Sequence, residues 1–423
     1  MNSRKFEREL KTLIYYVRQY GIQHLSFPLS ELSRIHDDNA IAEEFMTQVH
    51  KGFYFAQERI IDLLRKVINE QKTAKRGIAE TRRLRNKSAE QALQAKLDTA
   101  HYQECILRRV IDSIAWNLCG FELATVRRLY MDQEPIDITD SNLDSELSFL
   151  ENYKQSHPTG FALISDLSMV VQVGDIITKN MPEGTGIIEL KEGRVNERVF
   201  EILHEYRENH CDHYLASVLS EEGKKVSEQF FRSVKQLHKD MLTVSIINKG
   251  QGTDPQSGKE VTVVESTLEL ATFNPVLLDV IKRASVKGSA SQTIQGCLTV
   301  VAYDVTHPMT FAGQPSDVPL ERPPKKNKKD EDDTTIRSMD LRQTLTDPTT
   351  RPLFLCPLPE SSIVDIAMER TIVKFYLNIP LWLQMFEDQG FTIRKLGKKE
   401  TARMKQQADH RTIDFVSWMY PGC

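Results

Sequence analysis

No apolar run in this 423-residue chain approaches the roughly 20 residues that cross a bilayer. Residues 1–10 are charged and carry no apolar stretch, so no secretory signal is expected there. The six cysteines are scattered, and none forms a C-x-x-C pair, which argues against a zinc knuckle or a disulfide framework. A reducing, cytoplasmic setting without a membrane partner is the expectation. There is no G-x-x-x-x-G-K-[ST] loop, so no ATPase is expected, and no G-x-S-x-G elbow for a serine hydrolase. Aromatics are only 8% of residues, while 40% are hydrophobic and 27% charged. That balance is ordinary for a soluble chain able to bury a sizeable core.

The net charge of −4 hides an asymmetry. Residues 1–130 hold 22 Lys and Arg against 16 Asp and Glu, and the remainder holds 33 against 43. The positive excess peaks at Lys72, Lys75, Arg76, Arg82, Arg83, Arg85 and Lys87. Such a run reads either as a solvated bend between helices or as an arm contacting phosphates.

Residues 1–130 read as helical. Leu10, Leu13, Ile14 and Val17 lie on one helix face, as do Ile60, Ile61, Leu64, Val67 and Ile68. Ile106, Val110, Ile111 and Ile114 repeat the pattern, which predicts a helical hairpin turning near residues 77–88. Residues 143–154 read as a short helix. Residues 160–167, 169–178 and 186–192 read as strands separated by turns. A helical region broken near residues 209–212 and 221–223 is expected over 196–241, strands over 242–247 and 261–266, a helix over 268–284 and a strand over 295–303. The implied organisation is a helical region (1–130), an α/β domain (131–312), a linker or disordered insert (313–350) and a C-terminal segment (351–423) packing on the α/β domain. The insert rests on the Pro-rich, charged composition of residues 313–350.

Chemistry concentrates in residues 169–193. Two apolar stretches flank a turn containing Asn180, Pro182 and Gly184, the mark of a hairpin. A turn centred on Pro182 sets Asp175 opposite Glu189, with side chains roughly 5 Å apart. Strand alternation then puts Lys191 on the same face. Two facing carboxylates repel unless a proton or a cation intervenes, and an all-oxygen pair suits a hard divalent ion such as Mg²⁺. A lysine beside that ion could polarise a water or steady a phosphate.

An Asp at the end of one apolar strand, followed by Glu-x-Lys in the next, resembles the PD-(D/E)XK nuclease superfamily. The resemblance covers about 24 residues and implies a restriction-endonuclease-like core, a mixed α+β sheet flanked by helices. It implies Asp175 and Glu189 as metal ligands for Mg²⁺, with Mn²⁺ able to substitute, and Lys191 as the catalytic lysine. Gly174 stands where the family's name has Pro. A further acidic residue often lies on a preceding helix, and Glu146, Glu151 and Asp112 all qualify. A glutamine on the following helix would be Gln229 or Gln236. The implied activity is nucleic-acid hydrolysis, DNA ahead of RNA, in host defence or DNA processing. The alternative is a non-catalytic nucleic-acid-binding or protein-interaction subunit, and the N-terminal helices are then the candidate surface for a homo-oligomer or a partner protein.

Two other clusters read more plainly. His204, His210, Cys211 and His213 lack the i, i+4 histidine spacing of a helical zinc site and read as helix-surface residues. Phe230, Phe231, Val234, Leu237 and Met241 have helical spacing and read as core.

Overall fold

The computed structural model describes residues 1–139, 141–180, 184–190, 193–255, 258–262, 274–308, 336–388, 390, 392–393 and 399. The helical first part holds α1 (Ser3–Arg18), α2 (Tyr20–Gln23), α3 (Asn39–Arg83), α4 (Lys87–Leu118) and α5 (Leu123–Leu129). Next come α6 (Leu143–Ser156), β1 (Phe161–Ile164), β2 (Ile176–Asn180) and β3 (Gly184–Ile188). Three helices follow: α7 (Arg194–Asn209), α8 (Asp212–Glu221) and α9 (Lys224–Lys249). The hairpin β4 (Gln251–Thr253) and β5 (Glu260–Thr262) precedes α10 (Asn274–Lys287). The chain then forms β6 (Ser289–Ile294), β7 (Leu298–Asp304), β8 (Ile336–Asp340), α11 (Glu360–Ala367), β9 (Thr371–Asn378) and α12 (Ile379–Asp388).

These elements form two compact units. The first takes residues 1–18, 66–113 and 268–423, and the second takes 19–65 and 114–267. The boundaries cut across the expected 131–312 domain, whose last two strands join the C-terminal segment. The architecture is mixed helix and sheet with a helical N-terminal region. Every ladder among the described residues is antiparallel, whereas the family resemblance implies a mixed sheet.

In the second unit, β1, β2 and β3 pair in that order. The outer edge of β1 is fully buried, so its backbone groups need partners away from the sheet. Residues of α3 supply them. The Gln57 amide donates to the Ala162 carbonyl and accepts from the Ile164 N–H, at 3.2 and 3.0 Å. The Tyr54 hydroxyl accepts from the Ala162 N–H, and the rings of His50, Phe53 and Tyr54 surround Phe161.

The stretch 169–175, expected to be strand, is not. The Ser168 hydroxyl accepts the N–H groups of Val170 and Val171, a local turn that competes with a ladder. Gly174 then adopts φ +68°, and a Cβ there would lie 2.3 Å from the Ile187 side chain. Proline, fixed near −65°, cannot take that conformation, which accounts for glycine at this position.

Residues 242–247 also depart from the strand expectation. They continue α9, which buries Thr243 and Ile246 on one face and ends at Gly250 in the left-handed region. The Asn248 side chain ties this end to β3, accepting from the Thr185 N–H at 2.9 Å and donating to its carbonyl at 2.8 Å. At the other end Val226 and Phe230 pack against Val199 and Ile202 of α7. That packing stops at Phe230, and Phe231, Val234, Leu237 and Met241 are exposed, not core.

In the first unit, β6, β7, β9 and β8 form one sheet in that order. Residues 336–350, assigned above to the insert, are folded here: β8 pairs with β9, and Leu341 and Leu345 are fully buried. The expectation of a linker therefore fails for this part, and residues 309–335 lie outside the described ones. The anchor is Arg109, buried on α4. Its guanidinium donates to the carbonyls of Thr344 and Thr350 and pairs with Asp112 at 2.7 Å. Asp112, kept above as a candidate site residue, is thus a buried structural partner of Arg109.

Replacing Arg109 by Leu removes the cation from a buried pair and strands two carbonyls. The expected cost is about 3–5 kcal/mol, read from urea unfolding. A loss under ~1 kcal/mol would show that residues 336–350 do not depend on this anchor.

Candidate functional site

Each acidic group near the hairpin is placed by a different local device. Glu146 lies in the first turn of α6 and is only 2% exposed. Asp166 sits in the 3₁₀ turn Ser165–Leu167 that follows β1. Asp175 enters β2 just after Gly174, and its carbonyl accepts the Ser165 N–H at 2.9 Å, which draws it to the turn of Asp166. Glu189 directly follows β3.

The hairpin register pairs Ile176 with Ile188, as a turn centred on Pro182 requires; residues 181–183 lie outside the described ones. The ladder stops one pair short of the two carboxylates. The Asp175 N–H donates to the Ile188 carbonyl at 2.9 Å, and the Leu190 N–H donates to the Asp175 carboxylate. Asp175 and Glu189 line the same cleft without being a ladder pair. Lys191 lies outside the described residues.

The cleft has a volume of about 450 Å³. Asp166, Asp175 and Glu189 line it with Glu134, and α9 contributes Gln229, Arg232, Ser233, Gln236 and Lys239. Those α9 positions recur every three or four residues, one helix face. Gln236 donates to Glu189 at 3.0 Å and to Asp240 at 3.1 Å, whereas Gln229 donates to Asn196. Of the two glutamines, Gln236 is the one that holds a candidate ligand. The three acidic candidates also separate. Glu151 is exposed, Asp112 is tied to Arg109, and Glu146 is buried near Asp166 and Asp175.

Burial, reinforced by the negative charges of Asp166 and Asp175, pushes the Glu146 carboxyl up to about 8. One of its oxygens, Oε2, has no hydrogen-bond partner, and neither does the Ser165 hydroxyl. This donor set is all oxygen, as a hard divalent cation prefers. No three His, Cys, Asp or Glu side chains among the described residues are already gathered into a coordination sphere. A metal here would draw the carboxylates inward or complete its shell with water, as Mg²⁺ commonly does.

Three contributors escaped the sequence reading: Asp166, Arg232 and Lys239. Asp166 is the lone charge within the apolar run 161–171, a detectable signal. Arg232 and Lys239 share the helical face of Gln229 and Gln236, which the heptad-like spacing could have shown. The cluster of His204, His210, Cys211 and His213 is exposed, and Cys211 accepts the Tyr214 N–H at the start of α8.

Compared with family models, with curated proteins and with solved structures, the chain matches none.

A carboxyl titrating at about 8 when folded and near 4.5 otherwise binds its proton more tightly in the folded protein between those values. Its contribution to stability is therefore present below pH 4.5 and is lost as pH rises toward 8. Glu146→Gln removes that dependence. In metal-free buffer the variant is expected to gain on the parent by on the order of 1–3 kcal/mol between pH 5 and pH 8, measured by urea unfolding. Parallel stability curves would contradict the placement of Glu146.

Proposed function

We propose that the cleft of the second unit is a divalent-cation-dependent phosphodiesterase site acting on nucleic acid, DNA ahead of RNA. The observation that supports this most is Glu146: a buried carboxyl with an unpartnered oxygen, beside Asp166 and Asp175. Such a cluster is costly unless a proton or a cation relieves it. Asp175 and Glu189 would hold Mg²⁺ or Mn²⁺, with Glu146 as the third acidic group. The bound ion would supply charge for the phosphate oxygens and a more acidic water.

The protein's own groups have separable tasks in this reading. Gln236 orients Glu189, and the Leu190 N–H orients Asp175. Arg232 and Lys239 place positive charge on the α9 wall of the cleft, facing the carboxylates of its described lining. Lys191, two residues beyond Glu189, is the proposed proton-handling group for the attacking water. This assignment follows the PD-(D/E)XK resemblance of Asp175, Glu189 and Lys191.

The test is cleavage of single-stranded DNA, duplex DNA and RNA with Mg²⁺ or Mn²⁺ against a chelator control. Asp175→Ala and Glu189→Ala should each lose cleavage while melting like the parent. Gln236→Ala, which removes the amide shared by Glu189 and Asp240, should lose about 10–100-fold. Lys191→Ala should keep its substrate affinity and lose on the order of 10²–10⁴-fold in rate. Parental cleavage by both Asp175→Ala and Glu189→Ala would overturn the assignment, as would the absence of metal-dependent cleavage of all three substrates by the parent.

A further inference from the structure

The cleft poses an electrostatic problem that its own lining does not solve. A nucleic-acid strand is a polyanion, and the cleft presents Glu134, Asp166, Asp175 and Glu189 to it. Among the described lining residues, Arg232 and Lys239 are the cations that oppose them. Attraction must come from a surface leading into the cleft, and α9 carries one. Lys225, Arg232, Lys235 and Lys239 are spaced 7, 3 and 4 residues apart, which sets them in one stripe along the helix. Lys225, Arg232 and Lys235 are exposed, and the structure records no ion pair for them among the described residues. The acid within the stripe, Glu228, is taken up by Lys224 at 3.7 Å. At the cleft end, Lys239 rests against the Met131 sulfur at 3.4 Å.

We propose that this α9 stripe is a phosphate-backbone track that lays a nucleic-acid strand across the rim and delivers it to the acidic cleft. The track rests on the nucleic-acid reading of that cleft. From Lys225 to Lys239 the helix rises roughly 21 Å. That length matches about six nucleotides of one strand at roughly 3.4 Å each. The contacts are to phosphate, so the track carries no base preference of its own. A second cationic surface exists at the bend between α3 and α4, where Lys75, Arg76 and Arg83 are exposed in the first unit. The two surfaces make opposite predictions for the same loss of charge.

The experiment measures binding of a fluorescent 20-nucleotide DNA, single-stranded and duplex, and of the matching RNA, by anisotropy across salt concentrations without divalent metal. Each phosphate contact contributes about 0.7 to the log–log salt slope for a single strand and about 0.9 for a duplex. Lys225→Ala/Arg232→Ala/Lys235→Ala should therefore flatten the single-strand slope by about two units. Lys75→Ala/Arg76→Ala/Arg83→Ala should leave it unchanged, and so should Lys225→Arg/Lys235→Arg, which keeps the charge. An unchanged slope in the α9 triple variant overturns the track. So does an equal loss in both triple variants, or no binding by the parent to any of the three probes at low salt. Because the assay contains no metal, it is independent of cleavage. A parent that binds through α9 but cuts nothing sinks the phosphodiesterase reading alone, whereas metal-dependent cutting with an unchanged slope sinks the track alone.

Discussion

A buried carboxyl with two further carboxylates acting on it must be neutralised, and Glu146 sets that requirement in the second unit. Glu146 is withdrawn from solvent, one of its oxygens has no hydrogen-bond partner, and the charges of Asp166 and Asp175 act on it. In the metal-free protein a proton on Glu146 meets the requirement. A divalent cation would meet it differently, releasing that proton and using the oxygens as ligands. Under the proposed reading, the same group would record which of the two is bound.

The surrounding fold converts this requirement into fixed positions. Gln57 and Tyr54 satisfy the buried edge of β1, so the turn bearing Asp166 starts from a rigid strand. The left-handed Gly174 aims Asp175, and the Ser165 N–H holds its carbonyl. On the opposite wall, Asn248 pins α9 to β3, which sets Gln236 against Glu189. Groups held by neighbours in this way have less freedom to lose on binding, although a metal would still have to draw the carboxylates inward or complete its shell with water.

Much of this was legible in the sequence where the signal was local. The hairpin register followed from Pro182 and its flanking apolar residues, and the breaks between α7, α8 and α9 followed from residues 209–212 and 221–223. The paired long helices followed from their apolar faces. What failed depended on partners distant in the chain. Residues 242–247 are β-branched enough to suggest a strand, yet burial of Thr243 and Ile246 and the Asn248 contacts keep them helical. Residues 336–350 carry the polar composition of a loop, but Arg109 on α4 supplies partners for their carbonyls. Asp112 resembled a candidate ligand until its buried pairing with Arg109 was visible. The choice of Glu146 over Glu151 rested on five residues of helix, which is more than one turn and hence a change of face.

In the proposed site a cation and a proton compete for Glu146. Calorimetric titration of the metal-free protein with Mg²⁺ at pH 7, in two buffers of different ionisation enthalpy, measures that exchange directly. Release of close to one proton per Mg²⁺ bound is expected from the parent, and almost none from Glu146→Gln. Mg²⁺ binding without proton release, or with the same release in both proteins, would contradict it.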